Sequence, residues 1–240
     1  MNCFLKCYTY NMSLKILSWN IWFDSNLNNV NTFLENINAD IIGLQEVMRK
    51  DNKIQLSDSL FKEYQFVYAP AFQITKNGKT VDVGNAILSR YPILEYKIHN
   101  LSQTDNRIAI EATIKVNNKI LQVVCTHLVH THQQASQIQD IQAENLVKIL
   151  SETNSILVGD FNALPESNAV KTISKILRNT DSKLLPTWSV YPEGCNSCLP
   201  LKIIYKLDNI FVSKNLKTSS YQVEASDASD HLPISIIIEI

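Results

Sequence analysis

Short β-branched and aliphatic runs recur along this chain, and one after another they stop at a polar side chain able to do chemistry. Ile16-Leu17-Ser18-Trp19 ends at Asn20, and Ile41-Ile42-Gly43-Leu44 ends at Gln45 and Glu46. Leu121–Thr126 ends at His127, and Ile156-Leu157-Val158-Gly159 at Asp160, with Asn162 close behind. Asp208 lies within Tyr205–Val212, and Asp230 and His231 precede the last apolar run. Runs this short, bounded by polar residues, read as strands of a buried sheet. Ligand sites of layered α/β proteins lie beyond strand ends, on loops held by a rigid scaffold. Several such ends converging would assemble Glu46, Asp160, Asp208 and Asp230 with His127, His231, Asn20 and Asn162.

The runs predict strands over Lys15–Trp19, Ile41–Gln45, Asn85–Ser89, Ile108–Val116, Lys119–Thr126, Ser155–Gly159, Leu207–Val212 and Pro233–Ile238. Asn117-Asn118 separates two of them, and Asn tolerates positive φ, so a tight hairpin is expected there. Between strands, Val30, Phe33, Leu34 and Ile37 fall at i, i+3, i+4 and i+7, the apolar stripe of a helix. Ile138, Ile141 and Ile149 suggest a sparser face beside polar Gln137, Gln139 and Glu144, and Val170, Ile173 and Leu177 a shorter one. Strands alternating with helices, with at least one hairpin, point to a layered α/β domain with a mixed sheet.

Composition removes several classes. Lys and Arg total 22 against 23 for Asp and Glu, a formal net charge of -1. That balance excludes a generally basic nucleic-acid coat protein and an acidic disordered tail. With only 5 Gly and 7 Pro the chain is neither collagen-like nor linker-rich. No apolar run approaches the roughly 20 residues of a membrane span, so no stable membrane insertion is expected. The 5 cysteines are an odd, scattered set, which favours a reducing compartment over a disulfide framework. The start MNCFLKCYTYNMSLK has no apolar core of a secretion signal, so a cytoplasmic location is expected. Residues 1–13 read as a loose extension and 14–240 as one domain, expected to be a monomer.

The strand-end inventory suits phosphoester hydrolysis assisted by a hard divalent ion. Magnesium takes oxygen ligands, keeps several waters, and is typically held by one or two carboxylates together with substrate phosphate. A phosphate diester is anionic, so charge neutralisation and a positioned nucleophile supply most of its acceleration. A carboxylate is needed to orient and deprotonate water, and His and Asn to donate to the phosphoryl oxygens.

Seven strings occur in order: SWN at 18–20, LQEV at 44–47, GNAILSRYPI at 84–93, THL at 126–128, GDFN at 159–162, KLDNIFVS at 206–213 and SDHLPI at 229–234. Together they resemble the endonuclease/exonuclease/phosphatase superfamily. The resemblance implies a DNase I-like four-layer α/β/β/α sandwich, two mixed sheets face to face with helices outside. It implies Glu46 as principal metal ligand, with Asn20 beside it and Asp230 assisting the metal or His231. It makes Asp160 the residue that orients or deprotonates the attacking water, and Asn162 a contact of the scissile phosphate. His231 would stabilise the phosphoryl transition state, Asp208 would hold its imidazole, and His127 would touch a phosphate oxygen. Arg107, in DNRIAIEAT, resembles a family arginine that supports the acidic cluster.

The resemblance thus implies a Mg²⁺-dependent phosphoester hydrolase, Mn²⁺ being a possible substitute, with a phosphodiester in nucleic acid as the first substrate class. His127 stands where abasic-site endonucleases of the superfamily carry Tyr, which leans the chain toward the sphingomyelinase, inositol-phosphate phosphatase, deoxyribonuclease-I-like and tyrosyl-DNA phosphodiesterase branch. A phospholipid or inositol-phosphate hydrolase is the rival reading, and an inactive binding module that keeps only the fold a further one. Phosphate-backbone binding normally leaves a basic footprint, and Lys202, Lys206, Lys214, Arg90 and Arg107 are the candidates for it. His99, His130 and His132 have no motif support and read as surface or loop residues. Cys195 and Cys198, in TWSVYPEGCNSCLP, read as a free thiol pair, since a lone CxxC is a weak metal signal. Trp188 and Tyr191 in the same loop either face substrate or anchor the loop.

Overall fold

The computed structural model describes residues 12–188 and 204–240. The first half of the chain contributes β1 (Ser13–Asn20), α1 (Leu27–Asn36), β2 (Ile41–Lys50), β3 (Lys53–Ile54), α2 (Leu60–Glu63), β4 (Gln65–Lys76), β5 (Lys79–Ser89) and β6 (Ile93–Asn100). Then come β7 (Ile108–Val116), β8 (Lys119–His127), α3 (Gln137–Ile149), β9 (Ser155–Asp160), α4 (Asn168–Ser174), β10 (Arg178–Asn179), β11 (Asp208–Val212), β12 (Lys217–Val223) and β13 (Ile234–Glu239). Among the described residues no helix is long and apolar enough to cross a membrane.

Two sheets form. One runs β12-β13-β1-β2-β5-β4 with β3 paired to β2, and the other runs β10-β11-β9-β8-β7-β6. Both are mixed: β1 lies parallel to β2 and β8 parallel to β9, while their other neighbours are antiparallel. Side chains alternate across a strand, and the clusters follow that period. Leu14 and Ile16 of β1 join Val123 and Cys125 of β8 and Ile156 and Val158 of β9 in the core between the sheets. Leu17 and Trp19 face outward onto Val30 and Leu34 of α1. Val124 and Leu157 face the opposite way, onto Ala143 and Leu146 of α3 and Val170 and Ile173 of α4. The result is the four-layer sandwich that the motifs implied.

All eight expected strands form, and Asn117, at φ 53, closes the two-residue hairpin between Val116 and Lys119. The strands β4, β6 and β12, at or next to sheet edges, and the two-residue β3 and β10 were not expected. The apolar face expected on α3 is corrected. Ile138 and Ile141 are exposed, and the helix buries Gln139, Gln142, Ala143 and Leu146 instead. The two glutamines face inward because they satisfy loop backbone: Gln139 donates to the carbonyls of Val129 and Asn162, and Gln142 accepts from the Val129 amide and donates to Asp105. A buried amide with such partners costs little.

Gly43 sets how closely the sheets approach beside the strand ends. A Cβ at that position would lie 2.2 Å from Val158 Cγ2 and 3.3 Å from Cys125 Sγ. Gly43→Ala is therefore expected to destabilise the fold by about 1–3 kcal/mol through overpacking. At this chain length that lowers Tm by roughly 2–4 °C per kcal/mol. Adding Val158→Ala should recover part of the loss in denaturant titrations; strictly additive losses would show that the clash is relieved elsewhere.

Candidate active site

Pairing registers bring the polar strand ends to one edge of the sandwich. In the second sheet Asp160 sits between His127 on one neighbour and Asp208 on the other. In the first sheet Asn20 at the end of β1 lies beside Gln45 of β2. The Asn20 amide then crosses between the sheets: Nδ2 donates to Glu46 Oε1 at 3.1 Å and to Asp160 Oδ2 at 3.0 Å. Its Oδ1 accepts from the Trp22 amide at 3.0 Å, which fixes the orientation.

Glu46 reaches this edge through a bulge. The β2–β5 register slips between Leu44 and Val47, so both of those side chains pack in the same helix-facing cluster despite odd spacing. Glu46 takes φ 61, a left-handed conformation rare for a glutamate and typical of a residue whose surroundings over-determine it. The bulge turns its carboxylate to Asn20 and to the Phe23 amide, which donates to Oε2 at 3.2 Å.

The opposite side of the cleft comes from the chain's last quarter. His231 Nδ1 lies 2.9 Å from Asp208 Oδ2, which also accepts from Thr187 Oγ1 at 2.6 Å. His231 Nε2 lies 3.6 Å from Asp160 Oδ2. The loop is anchored by Trp19 Nε1, which donates to the His231 carbonyl at 2.9 Å, and by Ser229 Oγ, which donates to the Asn20 carbonyl at 2.7 Å. Asp230 borders the same space, its Oδ1 3.4 Å from Ser229 Oγ.

Charge follows from this packing. Burial pushes Asp160 up to about 6, with Asp208 adding to the rise and His231 opposing it. Glu46 and Asp230 are raised as well, first by burial and then by neighbouring carboxylates. Burial would strip the proton from His231, but Asp208, Asp160 and Asp230 outweigh it and hold the imidazolium well above its ordinary range. His127 is the reverse case: burial, then Arg107, His231 and His130, keep it neutral. One edge thus holds a protonated and a neutral histidine a few ångströms from a carboxylate that ionises near pH 6.

Asp160, Asp208 and His231 each place a ligand atom within 4.8 Å of the others. The His231 nitrogen on Asp208 already holds a proton in this array, so a hard cation suits the oxygens on the Glu46 side better. Glu46, Asp160 and Asp230 are carboxylates crowded by burial and by one another, a donor set that a divalent, oxygen-seeking ion would relieve.

Asn162 follows Asp160 in a left-handed turn (φ 48), its amide donating to Asp160 Oδ1 at 2.8 Å. Its side chain meets His127 Nε2 at 2.9 Å and His130 Nδ1 at 2.8 Å. His130 was expected to be a loop residue without a role at the site; its place three residues after His127 in THLVHTH was the available signal. Thr187, which holds Asp208, carried no such signal. Trp188 is nearly buried, its ring 6.1 Å from Tyr205 and from His130.

Of the five cations expected to make a basic footprint, the structure brings Arg107 to the cleft. It feels Glu46 and Asp160, lies over the Phe72 ring, and its Nη1 is buried without a hydrogen-bond partner among the described residues. Lys206 is buried on Asp181 (3.0 Å) and Tyr221 (2.6 Å), so it is no surface contact for phosphate. Lys214 lies past Val212, at the far end of β11, and Arg90 follows Ser89, far from Glu46 along the sheet. Lys202, Tyr191, Cys195 and Cys198 fall outside the described residues. His99 pairs with Glu111 at 2.8 Å, away from the cleft.

The sequence pattern of the Endonuclease/Exonuclease/phosphatase family matches residues 17–231. No curated protein matches the chain. Among solved structures, the endonuclease/exonuclease/phosphatase from Beutenbergia cavernae is similar at TM-score 0.78 and 18% identity, over 95% of this chain and 72% of that one. The human Nocturnin catalytic domain, solved with a bound sulfate anion, gives 0.67 and 19% over 96% of each chain. Truncated TDP2 from Caenorhabditis elegans gives 0.66 and 16%, over 95% of this chain and 98% of that one.

Proposed function

Because the chain belongs to the endonuclease/exonuclease/phosphatase family, whose members are hydrolases of phosphoester bonds, we propose that it is a Mg²⁺-dependent phosphodiesterase acting on nucleic acid. The observation that carries this reading is Asp160, raised to about 6 and set between the Asn20-bridged Glu46 and the protonated His231. Asp160 orients the attacking water and takes its proton. His231, kept charged by Asp208, donates to the phosphoryl group as negative charge builds there. Asn162 and His127 border the phosphate from the β8–β9 side, and Arg107 Nη1, without a hydrogen-bond partner among the described residues, offers a donor. Glu46, with Asp230 and the Asn20 frame beside it, would hold the divalent ion. When bound, that ion neutralises the phosphate and the crowded carboxylates.

Nucleic acid is favoured among diesters by two partly exposed aromatic residues, Trp22 beside Asn20 and Tyr205 beside Trp188, flat side chains of the kind on which bases stack. A phospholipid or inositol-phosphate ester is the second reading. Its support is that, of the four candidate cations among the described residues, Arg107 alone reaches the cleft, which a small headgroup would satisfy. Supercoiled plasmid incubated with Mg²⁺ should be nicked, and EDTA should stop the nicking. Intact plasmid with turnover of a phospholipid or inositol phosphate would replace the substrate assignment, and inertness toward all three would overturn the enzyme reading.

A further inference from the structure

The side-chain amide of Asn162 has its orientation decided by a backbone carbonyl. Leu128 O can only accept, and it lies 3.1 Å from Asn162 Nδ2, so that atom is the nitrogen and not the oxygen. The second amide hydrogen points at His127 Nε2, 2.9 Å away, which must present a lone pair; the neutral His127 therefore has its proton on Nδ1. The amide oxygen is left facing His130 Nδ1 at 2.8 Å, and an oxygen facing a nitrogen at that distance needs a hydrogen on the nitrogen. His130 must then be the Nδ1–H form.

We infer that His130 is a positioning residue: its Nδ1–H holds the Asn162 amide in the one orientation in which Nδ2 donates to His127 Nε2 and fixes that ring beside the phosphate site. The backbone of Asn162 is independently fixed. Its amide donates to Asp160 Oδ1 at 2.8 Å, and its carbonyl accepts from Gln139 Nε2 at 2.8 Å. The side chain is the part left to turn, and a turned amide would aim its oxygen at both Leu128 O and the His127 lone pair. His130 itself is braced from behind: its Nε2 lies 3.3 Å from His132 Nδ1, and its ring packs 6.1 Å from Trp188. The kinetic part of this inference rests on the phosphodiesterase reading; the tautomer does not.

The test replaces His130 with Ala, Asn and Asp and follows hydrolysis of bis(p-nitrophenyl) phosphate in Mg²⁺. The Asn side chain sets an N–H near the position of Nδ1, and the Asp side chain sets only an acceptor there. His130→Ala should lower kcat about tenfold at unchanged KM, the effect of one lost neutral hydrogen bond. His130→Asn should stay within about threefold of wild type, and His130→Asp should fall at least as far as Ala. Equal rates for the Asn and Asp variants would overturn the inference. In parallel, ¹⁵N spectra of wild-type imidazoles above the His130 pKa should show its proton on Nδ1, and an Nε2–H form would overturn the inference without reference to activity. Should wild type fail to cleave the diester, the functional reading falls and the tautomer alone decides the role of His130.

Discussion

Asp160→Asn is expected to lower turnover of a phosphodiester by about 10²–10⁴-fold, the usual contribution of a positioned general base, while the fold survives intact. An amide keeps the shape and can still accept from the Asn162 amide, its NH₂ then replacing the oxygen that faces Asn20 Nδ2, but it cannot take a proton from water. The linkage sign makes the stability side testable. In the folded state Asp160 is raised to about 6 from an ordinary value near 4, so the native protein binds this proton more tightly than the unfolded chain. The stability it contributes is present below about pH 4 and is lost as pH rises through about 6. Asn at 160 does not undergo this loss. The Tm of the variant relative to wild type should therefore be more favourable at pH 8 than at pH 5. In wild type, kcat/KM should fall as pH drops through about 6 or lower, since a bound cation depresses the carboxylate further. An acid limb centred above pH 7, or a variant that loses Tm but keeps its rate, would remove Asp160 from the role of base.

Asp208→Asn carries the second large expectation: kcat down by about 10²–10³-fold, as for loss of one electrostatic stabiliser of a transition state, with the alkaline limb of the pH profile moved toward neutrality. Asp208 Oδ2 serves both His231 Nδ1 and Thr187 Oγ1, and its charge is the first of the carboxylates that hold the imidazolium. An amide oxygen in the place of Oδ2 can still accept from both, but it carries no charge, so the imidazolium loses the first of its stabilising carboxylates and the His231 pKa falls. The same logic gives the sign. His231 is raised above its unfolded value, so the stability it contributes is present below about pH 6.5 and is lost as pH rises through its folded pKa. In the variant that loss begins at a lower pH. An unshifted alkaline limb accompanied only by a lower Tm would make Asp208 a structural residue.

Much of the site was legible because it is written at strand ends. Asn20, His127, Asp160 and Asp208 each close or open a buried strand, while Glu46 lies inside β2, which runs on to Lys50 past the bulge. Buried strands are apolar enough to be read from sequence. Strands at or beside the sheet edges were not. β6, for example, alternates Leu94, Tyr96 and Ile98 with Glu95, Lys97 and His99, and most of its side chains reach solvent. With one or both faces wet, such strands lack the continuous run that marks the central ones. The α3 face was misread for a related reason. Periodicity selects the apolar side of a helix, but here the inward side carries Gln139 and Gln142, which are buried because the loops holding His127 and Asn162 need hydrogen-bond partners. Lys206 misled as well: a lysine two residues from Asp208 looked like a phosphate contact and is locked to Asp181 instead.

The residue types of the candidate site are local information. Which residue types close which strands, and the seven strings that mark the family, needed no partner to be recognised. The tertiary structure alone decided how those residues act on one another, because protonation and tautomer depend on groups far away in the chain. Asp160 is raised by burial among segments from across the molecule, and Glu46 is aimed by a bulge defined only against β5. His231 is charged because Asp208 and Asp160, in the partnered sheet, surround it. Asn162 is oriented by Leu128 and His130, more than thirty residues away in sequence, and no pattern along the chain contains that hydrogen bond.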